Sequence, residues 1–392
     1  MALMIGSRRR TVAGVLLVFA VTLLIALAVS ARGGRAASVG PSWRVLPRAP
    51  VPGRLGASTV WTGREMIVWG GVARSVGGQA APRSDGAAYN PATGKWRKIA
   101  NAPSGVLGGG GPAAAWTGSR MVIFVGNSPD GPSASAMYDP RSNTWGRLPK
   151  GPLGVREQYS SVWTGRELLI FGGHSGDSYA SPTAAALNPA TRSWRRLNAL
   201  DPVVGLSTVN GAVWDGREAF VAGVIYRPPS HVSRPVLLEF NPTTNKLHEI
   251  NLANAPLNQR QRLQLDPVGR SGSDIVFWTG TTSSSTPVVR YTAATGHWKS
   301  AKAAPCKPYG QVTWIGDRLV AACGTVTLEI YSPRSDSWNT FNAGASPLNT
   351  SESSQIAWTA TNLIVWSGVA LERNNPTPSD GASIALAGIA GP

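Results

Sequence analysis

The chain has 392 residues, 42% of them hydrophobic and only 15% charged, with 45 glycines, 30 prolines and a formal net charge of +17. An ordinary soluble domain is about a quarter charged, so this balance points to many short strands joined by tight turns, and a single domain of this size requires repeats. The basic charge does not indicate a nucleic-acid partner: Lys and Arg occur as scattered single positions, with no basic helix, zinc-ligand set or RNP-like aromatic strand beside them.

The first element in chain order is membrane-directed. Arg8, Arg9 and Arg10 precede an uncharged apolar run from Thr11 to Ala31, after which come Arg32, Gly33, Gly34 and Arg35. A bilayer-spanning helix needs about 20 apolar residues and a cleavable signal core about 7 to 15, so the length favours a retained signal anchor. The small residues Val29, Ser30 and Ala31 also suit a cleavage site, and secretion after cleavage is the alternative. The leading arginines place the N-terminus inside and everything beyond residue 35 outside. The expected organisation is a basic N-terminus (1–10), a transmembrane or signal helix (11–31), a linker (32–41) and one domain (42–392).

That domain repeats one unit. Trp61-Thr62-Gly63-Arg64-Glu65 followed by Met66-Ile67-Val68-Trp69-Gly70-Gly71 is matched by Trp163-Thr164-Gly165-Arg166-Glu167 followed by Leu168-Leu169-Ile170-Phe171-Gly172-Gly173. Related units begin at Trp116, Trp214, Trp314 and Trp358, and the ending glycines are Gly71, Gly126, Gly173, Gly223, Gly280, Gly324 and Gly368. Each unit reads as a strand, a tight turn and an apolar strand ending in glycine. In the fifth unit Asp266-Pro267-Val268-Gly269 is expected at the approach to the turn. A third strand then leads to a turn of the type Tyr89-Asn90-Pro91 or Tyr138-Asp139-Pro140, where proline fixes φ and the short polar side chain caps the turn. A fourth strand carries Trp96, Trp145, Trp194, Leu247, Trp298 or Trp338.

Six fourth strands stand against seven sets of the first three. The missing one is at the other end of the chain, where Ser42-Trp43-Arg44-Val45-Leu46-Pro47 resembles Asn143-Thr144-Trp145-Gly146-Arg147-Leu148-Pro149. It is expected to pair near Ala382 to Ala387 and leave no open seam. A glycine pair, then tyrosine, then tryptophan at about 50-residue spacing resembles the kelch repeat. The resemblance implies an all-β, seven-bladed β-propeller, with the tryptophans packed between blades.

In such blades the first-to-second and third-to-fourth turns share one face, and here they are short. The other connections, such as Val72 to Ser84, His174 to Ala184 and Val224 to Pro235, are long and irregular, and binding on a rigid scaffold usually resides in such loops. Arg156, Tyr159, His174, Tyr179, Tyr226, Arg227, His231 and Tyr309 are the candidate contacts there, supplying aromatic surface and charge-assisted donors. Cys306 and Cys323 are expected to form a disulfide outside the membrane.

The family resemblance also suggests a comparison with galactose oxidase-type copper radical enzymes, which need two imidazoles, tyrosines and a cysteine–tyrosine cross-link. Only His174, His231, His248 and His297 are present, and His174 and His231 fall in loops of neighbouring units. There is no Gly-x-Ser-x-Gly elbow, P-loop or His-Glu-x-x-His motif. The expectation is a noncatalytic scaffold without cofactor or metal, whose long-loop face takes a protein or an envelope polysaccharide. A kelch-type oxidoreductase or carbohydrate-active enzyme is the alternative.

Overall fold

The computed structural model describes residues 42–74, 80–109, 111–127, 133–174, 184–197, 206–227, 232–280, 288–305, 312–323, 326–345, 354–366 and 380–386. The expected leader at 11–31 lies outside them, and among the described residues no helix is long and apolar enough to cross a membrane. Trp43–Pro392 forms one compact unit.

That unit is a seven-bladed β-propeller of four-stranded antiparallel sheets. Blade one comprises Ser58–Trp61, Met66–Trp69, Gly86–Asn90 and Lys95–Ile99, hydrogen-bonded in that order. Blades two to six follow at 113–147, 160–197, 206–250, 266–300 and 312–342. The first strands of successive blades touch one another from Ser58–Trp61 through to Val312–Ile315, and Ser58–Trp61 also touches Gln355–Trp358 of blade seven. First strands are therefore innermost and fourth strands outermost.

Blade seven closes the ring as the sequence predicts. Gln355–Trp358, Asn362–Trp366 and Gly381–Ala385 are completed by Arg44–Val45, with Arg44 opposite Ser383 and Val45 opposite Ala382. The Leu46 amide extends the pairing by donating to the Gly381 carbonyl at 2.8 Å.

Burial explains the residue pattern. Second strands such as Met66–Trp69, Met121–Val125 and Leu168–Phe171 are buried at every position, because blades press on both their faces. Such strands read as continuous apolar runs rather than alternating ones. The apolar side chains gather into seven clusters, each shared by two adjacent blades, including the pair formed by blades seven and one.

The fourth-strand tryptophans join the seams. Trp96, Trp145, Trp194 and Trp338 donate Nε1–H to the carbonyls of Pro47, Ala100, Pro149 and Lys302 at 2.9, 2.7, 2.9 and 2.9 Å. Each acceptor lies just beyond the fourth strand of the preceding blade. The rings pack across the same seams, with Trp69 against Trp145 at 5.5 Å and Trp96 against Trp366 at 5.8 Å. Where Leu247 replaces tryptophan, Phe171 meets Phe240 edge-on at 5.7 Å.

The polar–proline turns behave as expected: Asn90, Asp139, Asn188 and Asn241 each accept the amide two residues on, at 3.0, 2.9, 3.0 and 3.0 Å. On the same face Glu65 grips Arg97 through both oxygens at 3.0 and 2.7 Å, and Arg97 reaches the Tyr138 hydroxyl of the next blade at 3.1 Å. Glu167 holds Arg195 at 2.9 and 2.7 Å, and Arg195 reaches the Pro242 carbonyl at 3.1 Å. Much of the positive charge here is thus committed to holding blades together.

Three local expectations are corrected. Asp266-Pro267-Val268-Gly269 is not the approach to a turn but part of the first strand of blade five, Asp266–Ser271, with the turn at Gly272-Ser273. Proline is tolerated because this strand is the innermost edge of its sheet, and a register shift between Pro267 and Gly269 absorbs the ring. Gly223 does not end its strand, and 224–227 and 232–235 are strand rather than loop: Ala219–Arg227 pairs with Val232–Asn241 as far as Arg227 opposite Val232. β-Branched residues in both segments, Val224 and Ile225 in one and Val232 and Val236 in the other, favour that continuation. Similarly, Val72–Arg74 pairs with Ala80–Pro82 to form a small hairpin.

Candidate functional site

Blades one and three are approached by the same backbone device. Arg54 and Arg156 are both only 1% exposed, and their Nε atoms donate to Pro52 and Gly154 carbonyls at 3.3 Å. Their Nη1 atoms reach the Gly70 and Gly172 carbonyls at 2.9 Å. Burial lowers both guanidinium pKa values, that of Arg156 to about 10. Arg54 is also paired with Asp85 at 2.8 Å. In each blade the next residue bridges back to the residue after the glycine pair, Leu55 to Val72 and Glu157 to His174.

The side chains placed on this shared frame differ. Blade one has Leu55, Gly56 and Val72, whereas blade three has Glu157, Gln158 and His174. Gly56 has φ +58°, and Gln158 adopts nearly the same left-handed conformation at φ +54°. A glutamine there costs about 1–2 kcal/mol that glycine avoids, and such strain is typical of residues held for their side chains. Gln158 Oε1 accepts from His174 Nε2 at 3.2 Å and from Thr208 Oγ1 of blade four at 3.4 Å. The Val209 amide donates to the Gln158 carbonyl at 3.3 Å, and Asn127 Nδ2 of blade two donates to Glu157 Oε1 at 2.9 Å.

The result is a polar cluster, Asn127–Glu157–Gln158–His174–Thr208, on the long-loop face where blades two, three and four meet. Glu157 and Gln158 are exposed and His174 is half-buried. The cluster offers a carboxylate, two amides, an imidazole and a hydroxyl on strand ends whose backbone is fixed. It suits directional recognition of hydroxyl, amide or peptide groups.

The sequence candidates separate on this frame. His174 is in the cluster. Arg156 is buried beneath it and serves the backbone. Tyr159 is half-buried and ties blade three to blade two: its hydroxyl donates to the Phe124 carbonyl at 3.2 Å and accepts from the Gly126 and Ala113 amides, each at 3.3 Å. Burial pushes that phenol up to about 12. Tyr226 and Arg227 occupy the end of the long strand of blade four, their side chains outside the description. Tyr179, His231 and Tyr309 lie outside the described residues.

Cys323 is buried and disulfide-bonded, while Cys306 lies outside the described residues. His248 and His297 are exposed on fourth strands of blades four and five, apart from His174. Among the described residues no group of three or more His, Cys, Asp or Glu is placed to hold a metal. Asn127, Glu157, Gln158 and Thr208 were not among the sequence candidates. The available signal was a glutamine standing in register with the glycine of blade one.

No family model matches the chain, and no curated protein matches it.

Proposed function

We propose that the protein is a noncatalytic, kelch-type scaffold whose long-loop face binds a protein or an envelope polysaccharide around the Glu157–Gln158–His174 cluster. The kelch assignment draws on the glycine-pair, tyrosine and tryptophan spacing. The observation that carries the binding reading is Gln158: a strained residue, in a position where glycine would serve the fold, has its side chain joined to His174 and Thr208. Residues 11–31 hold the propeller outside the membrane, or direct its secretion if they are cleaved.

The test is capture of purified envelope polysaccharides and envelope proteins by the full chain and by a Glu157→Ala/Gln158→Gly/His174→Ala variant. Affinity for the captured partner falls about tenfold or more in the variant, as expected when several directional hydrogen bonds are lost. Unchanged capture contradicts the assignment of this face. Turnover of a captured glycan would move the function to the enzymatic alternative.

A further inference from the structure

A second site of different chemistry lies on the same face, on the outer side of blade four. The long strand Val232–Asn241 and the helix Gln259–Leu263 on the connection to blade five pack against each other. The helix is fixed by a reciprocal cap, in which Asn258 accepts the Gln261 amide at 2.9 Å and Gln261 Oε1 accepts the Asn258 amide at 3.0 Å. Between strand and helix is a cleft of about 530 Å³, within the size range of small-ligand sites.

The cleft has unbalanced charge. Arg234 and Glu249, both on its wall, neutralise each other as a two-point ion pair. Among the described residues Arg262, also on the wall, has no ion-pair partner: its Nη2 donates to the Ala253 carbonyl at 3.4 Å, and its Nε has no hydrogen-bond partner. A guanidinium on the cleft wall with no carboxylate beside it can take an oxyanion from the cleft. Around it, Asn251, Gln259 and Ser233 supply neutral donors and acceptors, and Pro235 and Leu252 supply an apolar wall. An oxyanion, several hydroxyls and a C–H face are together the groups of one acidic sugar ring.

We infer that this cleft binds an anionic sugar unit, with the carboxylate or phosphate on Arg262 and the hydroxyls on Asn251, Gln259 and Ser233. The inference rests on the polysaccharide branch of the proposed function and narrows it to an acidic polymer. The net charge of +17 steers such a polymer towards the protein at low salt.

The experiment titrates the full chain with glucuronate, glucose 6-phosphate and glucose, comparing wild type with Arg262→Gln and Arg260→Gln. Arg260 is exposed on the same helix and off the cleft wall, so its loss removes the same charge without touching the site. An anionic sugar binds at least about tenfold more tightly than glucose, Arg262→Gln weakens it about tenfold, and Arg260→Gln leaves it unchanged. Whichever anion binds more tightly identifies carboxylate or phosphate as the source. Equal binding of glucose, equal loss in both variants, or no binding of either anion overturns the inference. If polysaccharide capture still depends on Glu157, Gln158 and His174 in that case, the broader proposal stands; if capture fails as well, both fall. Matching thermal midpoints for the two variants show that the helix is retained.

Discussion

At the scale of single residues, Gln158 sets fold against function. Gln158→Gly removes a left-handed side chain from a position that glycine fills in blade one, so the variant is expected to be more stable by about 1 kcal/mol while binding its partner more weakly. Denaturant midpoints and partner affinity on the same preparation check both halves. Loss of stability in the glycine variant would show that the side chain serves the fold.

Asp266 makes a second prediction. Its carboxyl sits in space left by Gly211, where a Cβ would lie 2.0 Å from Oδ1, and burial pushes its pKa up to about 7. The folded protein then keeps a proton that the unfolded chain, titrating near 4, has released, so stability falls as pH rises from about 4 to about 7. Glu239, desolvated beside Glu218, is raised to about 7 and acts with the same sign. The slope from each group is at most about 1.4 kcal/mol per pH unit. Asp266→Asn is expected to flatten the profile and to be the more stable protein at pH 8, as read from unfolding curves between pH 4 and 8.

At the scale of elements, the blade seams depend on indole N–H groups as much as on ring area. Trp145→Phe keeps the packing on Trp69 and Tyr138 but loses the bond to the Ala100 carbonyl, for an expected cost of about 1 kcal/mol. Trp145→Ala adds a cavity and costs about 3 kcal/mol. Equal effects of the two substitutions would contradict the role given to the hydrogen bond. The third-to-fourth turns carry a left-handed residue as well, and Arg192 at φ +53° holds the position that Gly94 and Gly296 hold elsewhere. Arg192→Gly is expected to stabilise by about 1 kcal/mol in the same measurement.

These elements were legible because they repeat. A continuous apolar second strand and a polar–proline turn appear in register often enough to outweigh any one irregular unit. The long arm of blade four was not, since Gly223 stands where the other units end their second strand and so masks the pairing beyond it. The site was half legible. His174 stands out by residue type, but Arg156 reads as a surface donor until its burial and its bonds to Gly154 and Gly172 are seen. Gln158 carries no chemical flag beyond standing in register with Gly56 of blade one.

At the scale of the whole molecule, seven seams close only because the N-terminal strand becomes the outer strand of the last blade. That pairing leaves no open edge between blade seven and blade one, where Trp96 takes the Pro47 carbonyl and Trp366 packs on Trp96. It also fixes direction: Arg44–Val45 runs as a fourth strand, so Arg44 stands at the short-turn face. The Glu157 cluster and the Arg262 cleft lie on the opposite face.

The most direct test is a covalent latch across it. The hydrogen bond from the Leu46 amide to the Gly381 carbonyl marks a hydrogen-bonded pair, which makes Val45 and Ala382 the adjacent non-hydrogen-bonded pair, the closer of the two kinds in an antiparallel ladder. Under oxidising conditions the Val45→Cys/Ala382→Cys chain is expected to link positions 45 and 382 within one molecule, seen as a linked peptide pair by mass spectrometry, and to melt at a higher temperature than either single variant, Val45→Cys or Ala382→Cys, under the same conditions. Absence of that intramolecular link, or a link found only between molecules, would contradict the closed ring.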